Sequence, residues 1–332
     1  MPTELSANTF EGRRVLVTGG LGFIGSNLAH RLVGLGAEVL LVDSLVPEYG
    51  GNAFNIDGIQ NQVRVNISDV RDEHSFAYLV RGQDYLFNLA GQTSHMDSMA
   101  DPYTDLEINC RAQLSILEAC RKHNPGIRIV FASTRQIYGK PDTLPVDESH
   151  LLRPTDVNGI NKMAGEWYHI LYNNVYGLRA CALRLTNTYG PRMRIKDARQ
   201  TFLGVWLRLS VLGQPFEVWG GEQLRDFTYV DDAVDALLRA AASDRANGEV
   251  FNLGGTSVLT LRALADLLVE VAGGGEYITR EFPADRRRID IGDYYADGGR
   301  IREALGWEPT VGEREGLTRT LAFYRSHLDA YL

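Results

Sequence analysis

Val15-Leu-Val-Thr18-Gly19-Gly-Leu-Gly22-Phe23-Ile24-Gly25-Ser-Asn-Leu28 reads as a strand, a glycine turn and the start of a helix. The apolar run Val15–Thr18 suits a buried strand. The glycines have separate duties: Gly19 permits the tight turn, Gly22 lets a pyrophosphate approach the backbone, and Gly25 lets helix and strand pack closely. The helix that follows, read over Gly22–Leu35 and carrying Phe23 and Ile24 in its first turn, presents free N–H groups and the positive end of its dipole. The next strand, Glu38–Asp43, ends on an acid. Asp43 is placed to accept hydrogen bonds from a ribose and to repel a 2′-phosphate. Together these features predict a dinucleotide site that favours NAD over NADP.

Outward from this stretch, apolar runs alternate with helical patterns. Val63–Asn66, Tyr85–Leu89, Ile127–Ala132 and Arg179–Leu185 read as strands, and Glu73–Arg81, Tyr103–His123 and Gly159–Tyr176 as helices. Such alternation predicts an α/β fold, a Rossmann-type doubly wound parallel sheet covered on both faces. After Gly190 the pattern breaks into shorter pieces: strands Phe216–Trp219, Thr228–Val230 and Glu249–Leu253, and helices Asp231–Ala242, Leu261–Val271 and Gly312–His327. We expect an NAD-binding domain over residues 1–189 with return segments near 225–255, and a smaller C-terminal α/β lobe, mainly 190–332.

Composition narrows the setting. The 332 residues carry a net charge of -8, which argues against nucleic acid as a partner, because phosphate binding favours a basic surface. No apolar run approaches the roughly 18 residues of a membrane span. Residues 1–14 lack the apolar core of a secretory signal. Cys110, Cys120 and Cys181 are odd in number and scattered among apolar neighbours. They fit buried thiols in a reducing, cytoplasmic setting, with neither a disulfide framework nor a metal site.

The glycine spacing, with Thr18 before it, resembles the extended short-chain dehydrogenases/reductases, the nucleotide-sugar epimerase/dehydratase family. The resemblance runs along nearly the whole chain. Asn66-Ile-Ser-Asp69-Val70-Arg-Asp resembles the family's acidic turn, which implies that Asp69 meets the adenine. Asn88-Leu89-Ala90-Gly91 resembles the strand end beneath the cofactor, and Asn109 the family's helix asparagine. Ser133-Thr134-Arg135-Gln136-Ile-Tyr138-Gly resembles the strand carrying the catalytic Ser/Thr. Thr93 lies in a loop that borders the sugar pocket in this family, and Asn187 at the entry to the sugar-nucleotide lobe. Arg225 and one of Arg286–Arg288, by spacing Arg287, match arginines that hold the diphosphate. The alternatives are a salt bridge for Arg225 and a solvated charge run for the triplet. In relatives, the helices matching Tyr103–His123 and Gly159–Tyr176 form a homodimer's four-helix bundle; their apolar positions here also suit burial within one chain.

The chain departs from the family where the chemistry should lie. The family's pair is Tyr-x-x-x-Lys on a helix, two residues on one face. Here the run is Asn158-Gly-Ile-Asn-Lys162, with Lys162 and Glu166 in register. A carboxamide is neither acid nor base near neutral pH. The proton must move through His95, through Lys162, or through a water held by Asn158, with Thr134 able to relay but a poor base alone. Asp97 is the expected orienter of His95, or else a helix cap. The positions after Thr134 are Arg135 and Gln136, where dehydratase relatives carry Asp-Glu. Arg135 either reads a negative group at the sugar's C6, such as a uronate, or pairs with a protein acid, Asp97 or Glu148.

These readings point to an NAD-dependent epimerase of a nucleoside-diphosphate sugar, at C4 through a transient 4-keto sugar. Two alternatives stand beside it. One is a dehydratase or keto-sugar-modifying enzyme with an atypical base. The other is an NAD-binding sensor or subunit without catalysis.

Overall fold

The computed structural model describes residues 8–283 and 290–332. Its strands are β1 (Arg14–Thr18), β2 (Glu38–Asp43), β3 (Val63–Ile67), β4 (Tyr85–Asn88), β5 (Arg128–Thr134), β6 (Arg179–Leu185), β7 (Asn187–Tyr189), β8 (Phe216–Trp219), β9 (Leu224–Tyr229), β10 (Val250–Asn252), β11 (Val258–Thr260) and β12 (Tyr277–Arg280). Seven of them form one sheet in the order β10-β6-β5-β4-β1-β2-β3, parallel throughout. Val15, Leu16, Val17 and Thr18 have no exposed surface. A strand buried on both faces needs that unbroken apolar run, which is why the opening stretch is legible.

The strand order reverses between β1 and β4. That reversal opens a crevice at the carboxyl ends of these strands, where doubly wound sheets bind ligands. Helix α1 (Phe23–Gly34) leaves the β1 turn, and α2 (Glu73–Leu79) precedes β4. After β4 come α3 (His95–Ala100), α4 (Pro102–Leu106), a π-helical turn (Glu107–Arg111) and α5 (Ala112–His123). The single helix expected over Tyr103–His123 is therefore interrupted. The π turn lets Gln113 Nε2 reach back to the Ile108 carbonyl at 2.9 Å and turns Asn109 inward, where it is fully buried. Single π turns recur at functional sites.

Helix α6 (Val157–Tyr176) starts two residues before the expected Gly159. Its cap is Asp156, whose Oδ1 accepts from the Gly159 N–H at 2.7 Å. Four residues after Lys162, Glu166 pins the helix to the sheet: Arg184 on β6 donates Nη2 to Oε1 at 2.6 Å and Nε to Oε2 at 3.0 Å. Ser133 Oγ on β5 donates to Oε2 at 2.6 Å.

The second lobe holds the sheet β11-β9-β7 and the pair β12-β8. Of the expected strand Thr228–Val230, Thr228 and Tyr229 end the longer β9 and Val230 opens the helix that follows. Helices α7 (Phe202–Val211), α9 (Leu261–Ala272) and α11 (Glu313–His327) pack there, while α8 (Val230–Ala242) packs beside α1. A further helix, α10 (Gly299–Leu305), lies against β10. The chain thus returns to the large sheet at β10. Among the described residues no helix is long and apolar enough to cross a membrane.

Candidate active site

The turn after β1 is built for close backbone approach. Gly19 has φ +67°, and a Cβ there would stand 3.0 Å from the Ala90 nitrogen. On Gly25 a Cβ would fall 2.2 Å from the Gly19 carbonyl oxygen, a distance no side chain tolerates. Thr18 Oγ1 ties the two strand ends together: it donates to Asn88 Oδ1 at 2.9 Å and accepts from the N–H groups of Leu89 and Ala90. Helix α1 starts at the N-cap Gly22 with no side-chain cap and no acid in its first turn. Its first N–H groups therefore lack a protein acceptor of the usual kind, the condition for anion binding.

These elements line one cleft. Gly19, Gly22, Phe23, Ile24, Gly25, Asp43, Asp69, Val70, Leu89, Ala90, Gly91 and Thr93 all border it, so every expected cofactor residue except Lys162 meets there. The sequence reading missed Tyr49, Arg71 and Gln200, which also line it. Asp43 holds the loop as well as facing the cleft: its Oδ2 accepts from the Leu21 N–H at 3.0 Å and its Oδ1 from the Leu45 N–H at 2.9 Å. Burial raises its pKa, and those N–H groups, with Gly22 and Ser44, oppose the rise. Asp69 is gripped by Arg71, Nε at 2.9 Å and Nη2 at 2.6 Å, which lowers its pKa.

Lys162 stands behind Gly91, where a Cβ would lie 2.8 Å from its Nζ and 2.9 Å from Asn109 Oδ1. Its ammonium donates to the Ala132 carbonyl at 3.1 Å and lies over the Phe131 ring. Burial pulls its pKa down to about 8, with Asp105 pulling the other way. Asp105 is fully buried and gathers three amides: Asn161 Nδ2 at 2.8 Å on Oδ1, and Asn109 and Asn158 Nδ2 at 3.0 Å each on Oδ2. Nothing in the spacing announced this hub.

Asn158 is only 2% exposed. Its amide nitrogen is committed to Asp105 and, at 2.8 Å, to the Gln92 carbonyl. Its N–H groups thus serve the protein, and orienting a hydroxyl or water falls to the amide oxygen alone. Thr134 Oγ1 accepts from the Gln136 N–H at 3.2 Å, leaving its own proton to donate.

Three further expectations change. Asp97 does not orient His95; it pairs with Arg199 at 3.0 Å, and the imidazole instead meets Asp156. Arg135 reaches neither Asp97 nor Glu148. Its Nη2 donates to Asn187 Oδ1 at 3.0 Å, and its guanidinium lies over Tyr294. Asn187 donates in turn to the Asp226 carbonyl. Arg225 is buried, with Nη1 on the carbonyls of Leu224 and Gly292 and Nη2 3.5 Å from Asp290. Desolvation, and then Arg135 nearby, bring its pKa down to about 10. Its guanidinium is therefore not a surface salt bridge, and holding a diphosphate means giving up those carbonyls. Arg286, Arg287 and Arg288 lie outside the described residues.

A family model, the NAD dependent epimerase/dehydratase family, matches residues 15–254. The chain belongs to that family. Among similar proteins is a putative UDP-glucose 4-epimerase of Methanocaldococcus jannaschii, 31% identical over 94% of this chain and 99% of its own. The crystal structure of the Thermotoga maritima UDP-glucose 4-epimerase with UDP-glucose superposes with a TM-score of 0.87, at 31% identity over 95% of this chain and 99% of that one. The Thermus thermophilus UDP-glucose 4-epimerase complex with NAD gives 0.81, at 31% identity over 94% and 99%.

The family's cofactor, NAD, fits what the site offers. The uncapped α1 N-terminus and the bare glycines suit a pyrophosphate. Asp43 suits a ribose without a 2′-phosphate. At the far end Asn109 Oδ1 is buried and has no partner among the described residues, beside the Lys162 ammonium. An acceptor and a cation at one point suit the nicotinamide ribose.

Proposed function

We propose that the chain is an NAD-dependent epimerase of a nucleoside-diphosphate sugar, acting at C4 through a transient 4-keto sugar. One observation carries the choice within the family. The strand end after Thr134 presents no carboxyl group: Arg135 is bound to Asn187, and Gln136 donates to Asp156 at 3.0 Å. Removing water across C5 and C6 needs an acid and a base there, and a guanidinium or a carboxamide is neither near neutral pH. Moving hydrogen at C4 needs no acid and base at those two positions. The similarity to two UDP-glucose 4-epimerase structures over nearly the whole chain supports the same choice.

NAD, when bound, supplies the acceptor and donor of the C4 hydrogen. The protein's part is placement and charge. Lys162 holds the ribose end and lends positive charge. Thr134 donates to the reacting oxygen. Thr93, Asn187, Arg225 and Arg287 are the proposed contacts to the sugar nucleotide, in a lobe formed mainly by 190–332. The exposed apolar side chains of Tyr103 and Leu106 on α4 and Ile160, Trp167 and Leu171 on α6 support a homodimer through these helices. The three free cysteines support a cytoplasmic setting.

Incubation with UDP-, dTDP-, CDP- and GDP-sugars, read by mass spectrometry and NMR, tests the reading. We expect at least one sugar to be converted to an isomer of unchanged mass. A product lighter by water or carbon dioxide, or no conversion of any sugar, contradicts it.

A further inference from the structure

We propose that His95, aimed by Asp156, is the proton carrier of this site, taking the place of the missing tyrosine. The proposal rests on the epimerase reading above.

The groups at the family's own positions are occupied. Asn158 has no basic atom, and its amide is bound to Asp105 and Gln92. Lys162 points its ammonium at the Ala132 carbonyl. The opening residue of α3 offers an alternative. His95 Nδ1 lies 2.8 Å from Asp156 Oδ2, with the carboxylate side chain fully enclosed and the imidazole side chain 40% exposed. The inner edge of the ring thus meets a buried carboxylate while the outer edge is open. A carboxylate 2.8 Å from Nδ1, in ion-pair reach though off the line of a hydrogen bond, favours the proton there and leaves Nε2 as the basic edge, the arrangement of an oriented general base.

Asp156 is held for this role. Oδ1 takes the Gly159 N–H at 2.7 Å and Oδ2 takes Gln136 Nε2 at 3.0 Å. Burial pushes its pKa up, yet His95, Gly159 and Gln136 together hold it below the usual carboxylate range. The same groups tie the dyad to the reacting centre. The Gln136 N–H donates to Thr134 Oγ1 at 3.2 Å. Ser98 Oγ donates to the His95 carbonyl at 2.7 Å and accepts the Asn158 N–H at 3.3 Å. His95 is therefore fastened both to the strand end that bears Thr134 and to the helix turn that bears Asn158. The neighbouring charges do not compete for it, because Asp97 is paired with Arg199.

In the forward step the sugar O4–H and C4–H bonds break and a C=O bond forms. The hydroxyl proton goes to His95 Nε2, and the C4 hydrogen with its electron pair would be taken up by NAD when that cofactor is bound. The imidazolium is held by Asp156. After the keto sugar turns over, the proton returns to O4 and the hydrogen returns with its electron pair to the other face of C4, so no net oxidation occurs.

The test uses the full-length protein with NAD and the sugar nucleotide that the wild type isomerises. His95→Ala should lower kcat at least about a hundredfold, the usual scale of general acid–base catalysis, with KM little changed. Added imidazole should restore part of that loss and leave the wild type unaffected. His95→Asn, which keeps a donor toward Asp156, should be as slow. Asp156→Asn keeps a helix cap; it should lower kcat too, and nitrogen-15 NMR should show His95 losing its Nδ1–H tautomer. Wild-type turnover in His95→Ala overturns the proposal alone. So does a slow His95→Ala that imidazole leaves unchanged while the wild-type imidazole carries its proton on Nε2. A wild type that isomerises no sugar overturns the epimerase reading and this proposal together.

Discussion

Lys162→Met is expected to remove turnover and stabilise the fold at the same time. The two effects have one cause. The ammonium is 6% exposed, and burial brings its pKa from 10.5 to about 8. An unfolded chain keeps that proton up to about pH 10.5, whereas the folded chain loses it near pH 8. Between those values the unfolded state binds more protons, so stability rises with pH; below about pH 8 both states are protonated and the burial penalty is constant and full. Methionine removes the penalty and keeps the hydrocarbon stem. The gain at pH 7 should be on the order of 1–3 kcal/mol, and it should shrink as pH approaches 10.5. Turnover should fall by about a hundredfold or more, since the charge proposed to stand beside the reacting carbon is gone. Thermal unfolding across this pH range, beside steady-state rates, reads both. A variant that is slow and also destabilised at pH 7 places Lys162 in the framework instead.

Glu166→Ala is expected to cost about 3–5 kcal/mol of stability, the range for removing one partner of a buried ion pair. Arg184 and Glu166 are 4% and 1% exposed and meet through two short bonds. Without the carboxylate, the guanidinium keeps only Tyr138, whose hydroxyl accepts from Nη1 at 2.6 Å and donates to Asn252 at 2.7 Å, and a longer bond to the Glu148 carbonyl. Ser133 Oγ loses its acceptor as well. The double variant Glu166→Leu with Arg184→Met removes both charges and should recover most of the loss. Urea unfolding of the three variants measures this. A single variant within about 1 kcal/mol of wild type shows that the pair does not hold α6 to the sheet.

The readable parts of the sequence were those where one local rule acts alone. Val15–Gly25 announces itself because a doubly buried strand and a close turn tolerate few residue types. The cleft-lining residues followed from it, since the ends of β1, β2 and β4 must meet at the reversal of strand order. Asn158 was legible as a departure, but its partners were not. Asp105 gathers Asn158 from 53 positions away, through a π turn that the continuous pattern Tyr103–His123 conceals. The partner of His95 was misread because Asp97 is near in sequence, whereas Asp156 is near in space. The cap at Asp156 could have been found: an acid three residues before Gly159 is an N-cap signature. Arg225 and Arg135 read as ligands because arginine is the usual anion donor; the carbonyls and Asn187 that also hold them were not legible, because the tertiary arrangement supplies them.

In the proposed reaction the C4 hydrogen leaves the sugar and returns to it inside one closed site. A sugar nucleotide carrying deuterium at C4, incubated with the enzyme in ordinary water, tests this most directly. The expected product is a C4 epimer of unchanged mass with the deuterium still at C4. An epimer that has exchanged its deuterium for solvent hydrogen contradicts it, because the hydrogen would then have left as a proton.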